Sequence, residues 1–258
     1  MRSSLALVAV VAFATSGCHC QPVAPPPAKA APRTPMVAVR TSAPIKLDGR
    51  LDEEAWKSAR PVPLKLPLST VAEGRTIEEP GTVRMLHDGE TLWLGFEFED
   101  SDVVGNAKAD DEELYTLGDV AEIFLRPVGQ TGYWEIHMAP NQRRSTYWYP
   151  GRGRLGLRGE DPHLRPPFWS GAAVVEGTLN DWRDRDRRWT AEVALPIAKL
   201  RRPGDPDPIE GGWTILVARY NYTRYRVQAT GPELSSSPAL ARPNYHLIED
   251  YSPLKFAP

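Results

Sequence analysis

Residues 81–99 read GTVRMLHDGETLWLGFEFE, and their apolar side chains recur at every second position. In 92–98 the even-numbered positions are all Leu or Phe, whereas the odd-numbered ones are Trp, Gly and Glu. A period of two places the apolar row on one face of a half-buried β-strand. The Asp88-Gly89 pair between the two halves is a strong hairpin signal. The stretch therefore predicts two antiparallel strands.

The same alternation recurs along the chain, at 121–125, 133–138, 189–195 and 213–222. Helical signals are few: one or two turns at 52–56 with Asp52 as N-cap, and a short turn after Pro196. The 26 prolines are tolerated in loops and edge strands but not in helix interiors or central strands. We expect an all-β fold, a two-sheet antiparallel β-sandwich of jelly-roll or immunoglobulin-like type with few short helices.

Composition excludes several classes of protein. Lys and Arg total 31 and Asp and Glu total 33, so the net charge of −2 does not steer the protein toward nucleic acid. The two cysteines both lie in the first 20 residues. A disulfide scaffold or a cysteine-ligated zinc site in the folded part is therefore not expected.

The N-terminus has the pattern of a targeting signal. Met1-Arg2 precedes an apolar run at 5–14 that is too short for a transmembrane helix. Gly17-Cys18 then stands at the cleavage position and resembles a bacterial lipobox. We predict a lipoprotein signal peptide at 1–17 and lipidation of Cys18, the alternative being a plain secretory signal. His19 follows where Asp would retain the protein, so we expect a cell-envelope lipoprotein in the outer membrane of a Gram-negative bacterium.

Residues 18–36 form a linker rich in Pro and Ala, which favours extended polyproline II and builds no core. Lipid chains at Cys18 would anchor the protein at a membrane, with the linker as a spacer. The folded domain is then expected at 37–258, long enough for one large sandwich. The oligomeric state is left open.

Five sequence blocks resemble family 9 carbohydrate-binding modules. Residues 47–56 resemble the family's "LDG-x-LDE-x-x-W" opening, and 83–94 resemble its "vrvlwD-x-x-x-LYv" hairpin. Residues 118–125 resemble "D-x-vEiFl", 176–196 resemble "GTLND…DRD-x-gWtvEvaiP", and 244–254 resemble the closing "nfH…fG-x-L". The blocks occur in family order across nearly the whole domain. Ser252-Pro253 stands where the family usually has Gly before the last strand.

The resemblance implies a sandwich of two antiparallel sheets with a concave face that binds sugar between two tryptophans. Where the first tryptophan is expected, Tyr115 is the nearest aromatic residue. The second tryptophan is not plainly present, and Tyr245 and His246 follow the segment expected to carry it. The resemblance therefore implies a saccharide or a related polyol as the ligand, held by residues other than a pair of tryptophans.

Alternation supplies the candidate ligand face, which is expected to combine the outward residues of several strands with two tryptophans: Glu97, Glu99, Glu122, Glu135, His137, Trp93 and Trp148. Glu135 and His137 lie two apart on one predicted strand, so their side chains leave the same face of the sheet. Trp148 is the candidate for stacking on a sugar ring, and Arg143 for reaching over the rim. The predicted ligand-binding residues are Tyr115, Glu135, His137, Arg143, Trp148 and His246. The alternatives are a solvated charged face and, for Trp148, a place in the sandwich core.

A second prediction concerns a metal. Residues 97–113 carry eight carboxylates against Lys108 alone, and crowded carboxylates repel unless a cation screens them. Oxygen ligands suit Ca²⁺, and family members bind calcium in such loops, so Asp100 and Asp102 are the candidate ligands. The alternative is a solvated acidic loop.

Other functions stay open at this point. Related sandwiches carry b-type haem, for which Met85, Met138, His137 and His246 are the available axial ligands. No acid–base pair is marked by the sequence, so the chain is predicted to be no enzyme, although it could serve a glycoside-hydrolysing system through a partner. A purely structural envelope lipoprotein is a further alternative. The Arg- and Gly-rich segment 143–165 is a long loop for which a lid, a lipid-headgroup contact and a disordered insert are all open.

Overall fold

The hairpin predicted at 81–99 forms in the computed structural model, which describes residues 33–157, 168–225 and 231–258. Gly89 turns the chain with a φ of +101°, which favours glycine. The Asp88 carboxylate accepts hydrogen bonds from the amides of Glu90 and Thr91 at 2.8 and 2.7 Å, which closes the turn. The predicted signal peptide, Cys18 and most of the predicted linker lie outside the described residues, as do residues 158–165 of the Arg- and Gly-rich segment.

The other predicted strands are confirmed, with ends shifted by at most two residues. The strands are β1 (Met36–Arg40), β2 (Val62–Pro63), β3 (Gly81–His87), β4 (Thr91–Glu99), β5 (Val120–Pro127), β6 (Tyr133–Met138), β7 (Arg144–Tyr149), β8 (Ser170–Glu176), β9 (Arg188–Pro196), β10 (Trp213–Asn221), β11 (Glu233–Ser237) and β12 (Ser252–Phe256). The helices of the described part are short: α1 (Glu54–Ser58), α2 (Leu68–Ala72) and α3 (Ile197–Leu200), with 3-10 turns at Leu114–Thr116 and Ile248–Asp250.

The strands form two layers joined at one edge. The order β8-β9-β4-β3 makes sheet I, with β2 added at β3. The order β7-β6-β5-β10 makes sheet II, with β11 and β12 both paired to β10. Strand β1 pairs with β12 and with β3 and so connects the layers. Both of these β1 pairings are parallel, whereas the pairings between the other described strands are antiparallel, as predicted.

The hydrophobic core lies between the two sheets. Sheet I contributes the alternating row that includes Leu94 and Phe96 on β4, and sheet II contributes Ile123 and Ile136, all at most 1% exposed. Apolar side chains from both sheets thus bury each other, which is what stabilises a sandwich. The predicted all-β sandwich is confirmed.

Each sheet also has an outer face, and chain segments cover part of both. Residues 45–59 pack Ala55, Trp56 and Ala59 on the outer face of sheet I. On sheet II, one cluster around Tyr245 and another around Leu114 pack against the outward residues of β5 and β10. The outer faces therefore contain buried polar residues as well as exposed ones.

Helix α1 corrects one local prediction. Glu53, not Asp52, occupies its N-cap position, and no side chain caps the helix. The Glu53 carboxylate instead accepts a hydrogen bond from the amide of Lys46 at 2.9 Å. The turn predicted after Pro196 is confirmed as α3, whereas α2 was not predicted. Within the described part of the chain, none of the helices has the length and apolar character needed to cross a membrane.

Candidate functional site

A pocket of about 320 Å³ lies on the outer face of sheet II. Its floor comes from β5 and β6, which place Glu122, Phe124 and Glu135 side by side because Phe124 pairs with Glu135 across the antiparallel ladder. Its walls come from the two cover segments and from the neighbouring strands. The lining residues are Tyr115, Glu122, Phe124, Glu135, Tyr149, Tyr220, Pro243, Asn244, Tyr245 and His246.

A carboxylate–histidine cluster, composed of Glu122, Glu135 and His137, lies at this floor. His137 Nε2 is 2.7 Å from Glu135 Oε1 and 3.2 Å from Glu122 Oε1. All three side chains are buried, with exposures of 0–5%. Pairing of His137 with Glu122 across the β5–β6 ladder, and its spacing of two from Glu135, brings the three together. Two carboxylates therefore share one imidazole nitrogen.

The second oxygen of Glu135 has no hydrogen-bond partner among the described residues. The nearest candidate is His246 Nδ1, which lies 3.8 Å away, beyond hydrogen-bond distance. Buried carboxylate oxygens are nearly always hydrogen-bonded, so such an atom in a pocket is available to accept a hydrogen bond from water or from a ligand. Glu135 is the residue that makes this pocket more than a surface depression.

Burial raises the pKa of the Glu122 carboxyl to about 8, and the neighbouring charge of Glu135 acts in the same direction, whereas His137 opposes it. Burial also raises the pKa of Tyr149 and Tyr220 well above the usual range of a phenol. Both phenols therefore remain protonated and able to donate a hydrogen bond into the pocket at neutral pH.

Aromatic rings form one wall. The rings of Tyr133 and Tyr149 stack with centroids 5.0 Å apart and an interplanar angle of 7°. The His246 ring lies 5.2 Å from that of Tyr149, and the Tyr133 hydroxyl is 2.8 Å from His246 Nδ1. This arrangement fixes the orientation of Tyr149 and His246 before any ligand arrives, which lowers the entropic cost of binding.

Three of the predicted ligand-binding residues line this pocket: Tyr115, Glu135 and His246. His137 lies behind the floor, fully buried, and contacts the two carboxylates rather than the cavity. Its place is therefore that of a residue that positions Glu122 and Glu135. The structure thus brings four of the six predicted residues together.

Trp148 and Arg143 lie elsewhere. Trp148 is 8% exposed in the core between the sheets, 4.9 Å from the ring of Trp134, with the Arg202 guanidinium 4.5 Å from its own ring. The expectation that Trp148 shares a face with Glu135 is wrong, because Trp148 pairs with Trp134 and both point inward. Arg143 is exposed in the turn between β6 and β7 and does not line the pocket.

The predicted face also included Trp93, Glu97 and Glu99, and these residues belong to the other sheet. Trp93 packs beside the 45–59 segment on the outer face of sheet I. Glu97 and Glu99 are on β4 of the same sheet and are exposed. Alternation fixed which side of a strand each residue takes but not which sheet the strand joins.

The candidate calcium ligands are engaged by arginine and backbone groups. Asp100 Oδ2 accepts a hydrogen bond from Arg219 Nη2 at 2.8 Å, and both side chains are at most 1% exposed. Asp102 Oδ2 accepts one from the amide of Arg224 at 2.9 Å. Burial raises the pKa of Asp100 to about 6, and Arg219 opposes that rise. Calcium at Asp100 and Asp102 stays a prediction.

The haem alternative loses its geometric basis. Met85 and Met138 lie in the core between the sheets, whereas His137 and His246 lie on the outer face of sheet II. The sulfur candidates thus lie between the sheets and the imidazole candidates lie outside them, so no Met and His of this set share a site.

Tyr149, Tyr220 and Asn244 line the pocket but were not predicted as ligand-binding residues. Residue 149 shares a face with Ser145 and Tyr147, and the ladder places it opposite Tyr133. The alternation of Ser-Thr-Tyr-Trp-Tyr at 145–149 contained this signal, since it separates Tyr149 from Trp148. What was lacking was the register of β6 against β7, which decides which of the two rows faces the pocket.

Comparisons with known proteins give the fold. No protein-family model and no curated protein matches the sequence. Among solved structures, the chain is similar to a protein from Bacteroides uniformis ATCC 8492 to which carbohydrate binding is ascribed, with 16% identity, a TM-score of 0.64, and coverage of 86% of this chain and 98% of that one. This likeness confirms the predicted sandwich fold.

The chain is also similar to a family 9 carbohydrate-binding module from Caldicellulosiruptor kristjanssonii. Its complex with cellotriose shows 12% identity, a TM-score of 0.47, and coverage of 86% of this chain and 94% of that one. Its complex with glucose shows 13% identity, a TM-score of 0.46, and coverage of 86% and 95%.

Proposed function

We propose that this chain is a non-catalytic carbohydrate-binding module that holds a saccharide, or a related polyol, in the pocket on the outer face of sheet II. The observation that carries the proposal is the unbonded oxygen of Glu135, buried on the pocket floor beneath an aromatic wall. A buried carboxylate oxygen accepts a strong hydrogen bond from a neutral donor such as a sugar hydroxyl. The fold of the Bacteroides protein supports the same conclusion.

The walls fit the amphipathic character of a sugar ring. The Tyr149 ring, held by its stack on Tyr133, offers an apolar face for the C–H side of a pyranose. Asn244 brings an amide that both donates and accepts, beside the His246 ring. A pyranose presents these two kinds of surface, apolar faces and a hydroxyl edge, at right angles to each other.

The size of the pocket indicates a short ligand. A volume of about 320 Å³ lies at the lower end of the ~300–1,000 Å³ typical of ligand pockets. Such a pocket takes a single sugar ring or the end of a chain rather than the side of a long polymer. The proposed ligand is therefore a terminal sugar residue.

A matched pair of variants tests the pocket, because Tyr149 and Trp148 are neighbours that face opposite sides of one strand. A glycan array identifies a ligand for the full chain, and calorimetry measures its affinity. Tyr149→Ala is expected to weaken binding at least about tenfold, which is 1.4 kcal/mol. Trp148→Ala is expected to lower stability by about 3–5 kcal/mol while the folded protein keeps its affinity.

Two results would contradict the proposed pocket. One is a chain that binds none of the arrayed glycans; the other is a Tyr149→Ala variant that binds as tightly as the parent. Weakened binding in the folded Trp148→Ala protein alone would point to a different surface.

We also propose that the module is tethered to the outer membrane through lipid at Cys18. Support comes from the sequence: a short apolar run, the Gly17-Cys18 junction and a Pro/Ala linker that separates the anchor from the domain. A Cys18→Ala variant is expected to take up no labelled fatty acid and to leave the detergent phase. Cys20→Ala is the matched control and is expected to behave as the parent. Retention of Cys18→Ala at the membrane would refute the anchor.

A further inference from the structure

The carboxylate–histidine cluster has the donor set of a metal site. One ligand atom from each of Glu122, Glu135 and His137 lies within 4.8 Å of the other two. Tetrahedral zinc, with bonds of ~2.0–2.2 Å, separates neighbouring ligand atoms by roughly 3.3 Å. The present distances of 2.7 and 3.2 Å from His137 Nε2 to the carboxylates require shifts of only a few tenths of an ångström.

Hydrogen bonding within the cluster does not balance its charge. Both carboxylates approach the same nitrogen, Nε2 of His137, which carries at most one proton. The residues that line the pocket within the described part of the chain include neither Lys nor Arg. With both groups ionised, two buried carboxylates beside one imidazole would leave net negative charge in a setting where charge is costly, and either a retained proton or a bound cation removes that cost.

The unbonded oxygen of Glu135 is a separate observation that points to a missing partner. Its side chain is 5% exposed and lines the cavity, yet that oxygen has no hydrogen bond among the described residues. We propose that Glu122, Glu135 and His137 bind a divalent transition-metal ion at the floor of the pocket.

The donor types select the class of metal. An imidazole nitrogen with two carboxylates suits Zn²⁺, Mn²⁺, Co²⁺ or Fe²⁺, whereas Ca²⁺ takes six to eight oxygen ligands. A 2+ ion would bring the charge of two carboxylates and a neutral imidazole to zero. This site is distinct in residues and chemistry from the calcium ligands predicted at Asp100 and Asp102.

Three protein ligands leave positions open toward the cavity, where His246 Nδ1 lies 3.8 Å from Glu135 Oε2. A ligand hydroxyl or the His246 ring would fill them. The part of this inference that concerns a sugar hydroxyl rests on the proposed function, whereas metal binding itself does not.

Calorimetric titration of the chelator-treated full chain with Zn²⁺, and separately with Mn²⁺, tests the site in the absence of any sugar. Because Cys18, His19 and Cys20 also offer zinc ligands, all titrations use a Cys18→Ser/Cys20→Ser background. We expect one metal ion per chain with a Kd of about 1 μM or below for Zn²⁺. A parent protein that binds no metal at this level overturns the inference, whatever its affinity for sugar.

Variants locate the ion. Glu135→Gln and His137→Gln are each expected to weaken metal binding by at least about 100-fold, since loss of an outer partner alone costs about 10–100-fold. Glu192→Gln removes a buried glutamate from sheet I and is the matched control, expected to bind as the parent does. Equal metal affinity in Glu135→Gln and the parent overturns the assignment.

A spectroscopic signature covers the case in which a variant fails to fold. The electron paramagnetic resonance spectrum of the Cu²⁺-loaded parent is expected to show coupling to an imidazole nitrogen, from His137 alone or from His137 and His246 together. A spectrum with oxygen ligands alone places the ion away from His137 and overturns the inference. Saccharide affinity measured with and without the metal then tests the open coordination positions separately.

Discussion

Each sheet of the sandwich buries a glutamate at the middle of its outer face, and the two are treated in opposite ways. On sheet I, Glu192 accepts hydrogen bonds from the amides of Asp48 and Gly49 and from the indole of Trp56, at 2.8–3.0 Å. On sheet II, Glu135 shares the imidazole of His137 and has one oxygen without a partner among the described residues.

The difference indicates that Glu192 stabilises the fold, whereas Glu135 is available to bind a ligand. Glu192 holds the 45–59 segment against the sheet through these hydrogen bonds. The segment lies so close that a Cβ at Gly49 would approach the backbone of Ala173 to 2.8 Å. A fully bonded buried carboxylate rigidifies the fold around it. A partly bonded one costs stability, and a protein retains it where a ligand supplies the missing partner. The two glutamates therefore make opposite predictions on substitution.

A third buried carboxylate, Asp100, gives the largest expected effect because its partner is an arginine. Arg219→Met leaves Asp100 buried without its direct counter-charge, which should lower the free energy of unfolding by about 3–5 kcal/mol. Urea denaturation measures it. Asp181→Asn breaks an exposed pair with Arg183 and serves as the control, with an expected loss of at most about 1 kcal/mol. Equal losses of unfolding free energy in the two variants would contradict the interpretation that the buried pair of Asp100 and Arg219 stabilises the fold.

The same region carries the calcium prediction, which has its own measurement. A site at Asp100 and Asp102 would make calcium raise the melting temperature by binding the folded state. Identical melting curves in calcium and in chelator would leave Arg219 and the backbone as the partners of these two residues.

Glu192→Ala is the next largest effect. The change leaves the Asp48 and Gly49 amides and the Trp56 indole without their acceptor. At about 1 kcal/mol or more for each buried donor, the expected loss of unfolding free energy is roughly 3 kcal/mol. Saccharide affinity of the folded protein should not change, because the pocket is on the other sheet. A variant as stable as the parent would show that water replaces the carboxylate without cost.

Glu135→Gln is expected to show the reverse pattern. The change removes one charge from a buried pair of carboxylates, so the unfolding free energy should change by less than about 1 kcal/mol or increase. Saccharide binding should weaken by about tenfold or more, because the accepting oxygen is lost. Denaturation and calorimetry on one preparation test both halves. A large loss of stability with unchanged binding would mean that Glu135, like Glu192, stabilises the fold and does not bind the ligand.

Sequence periodicity was sufficient for six of the twelve strands in the described part of the chain, β3, β4, β5, β6, β9 and β10, since alternation depends only on neighbouring residues. The other six strands were not predicted, and β7 lies within the segment 143–165 that was interpreted as a long loop. Periodicity also placed Glu135 and His137 on one face. It failed where the answer depends on register and on the pairing of distant strands: Trp148 lies in the core, and Trp93 belongs to the other sheet.

The pocket itself could be predicted only in part. Tyr115 and His246 were identified from their places beside and within the family blocks. Asn244 belongs to the same closing block as His246 but was not selected, and Tyr220 comes from β10, which is distant from both in the chain. The unbonded oxygen of Glu135 is a property of the packed structure, because it depends on which donors the cover segments bring to it. No sequence pattern encodes such an absence.

The smallest expected effect is a pH dependence that comes from Glu192. Burial raises the pKa of this carboxyl to about 7, although its three hydrogen bonds lower it, against 4.5 for the ordinary group. Between these two values the folded state binds a proton that the unfolded state releases, so stability falls as the pH rises through about 7. Glu192→Gln has no such proton. Buried Glu122 and Asp100 add slopes of the same sign but are present in both proteins, and they cancel in the difference. The melting temperature of the parent, relative to Glu192→Gln, should therefore be several degrees higher at pH 5 than at pH 8. A difference that is constant across this range would mean that the three donors hold Glu192 ionised throughout.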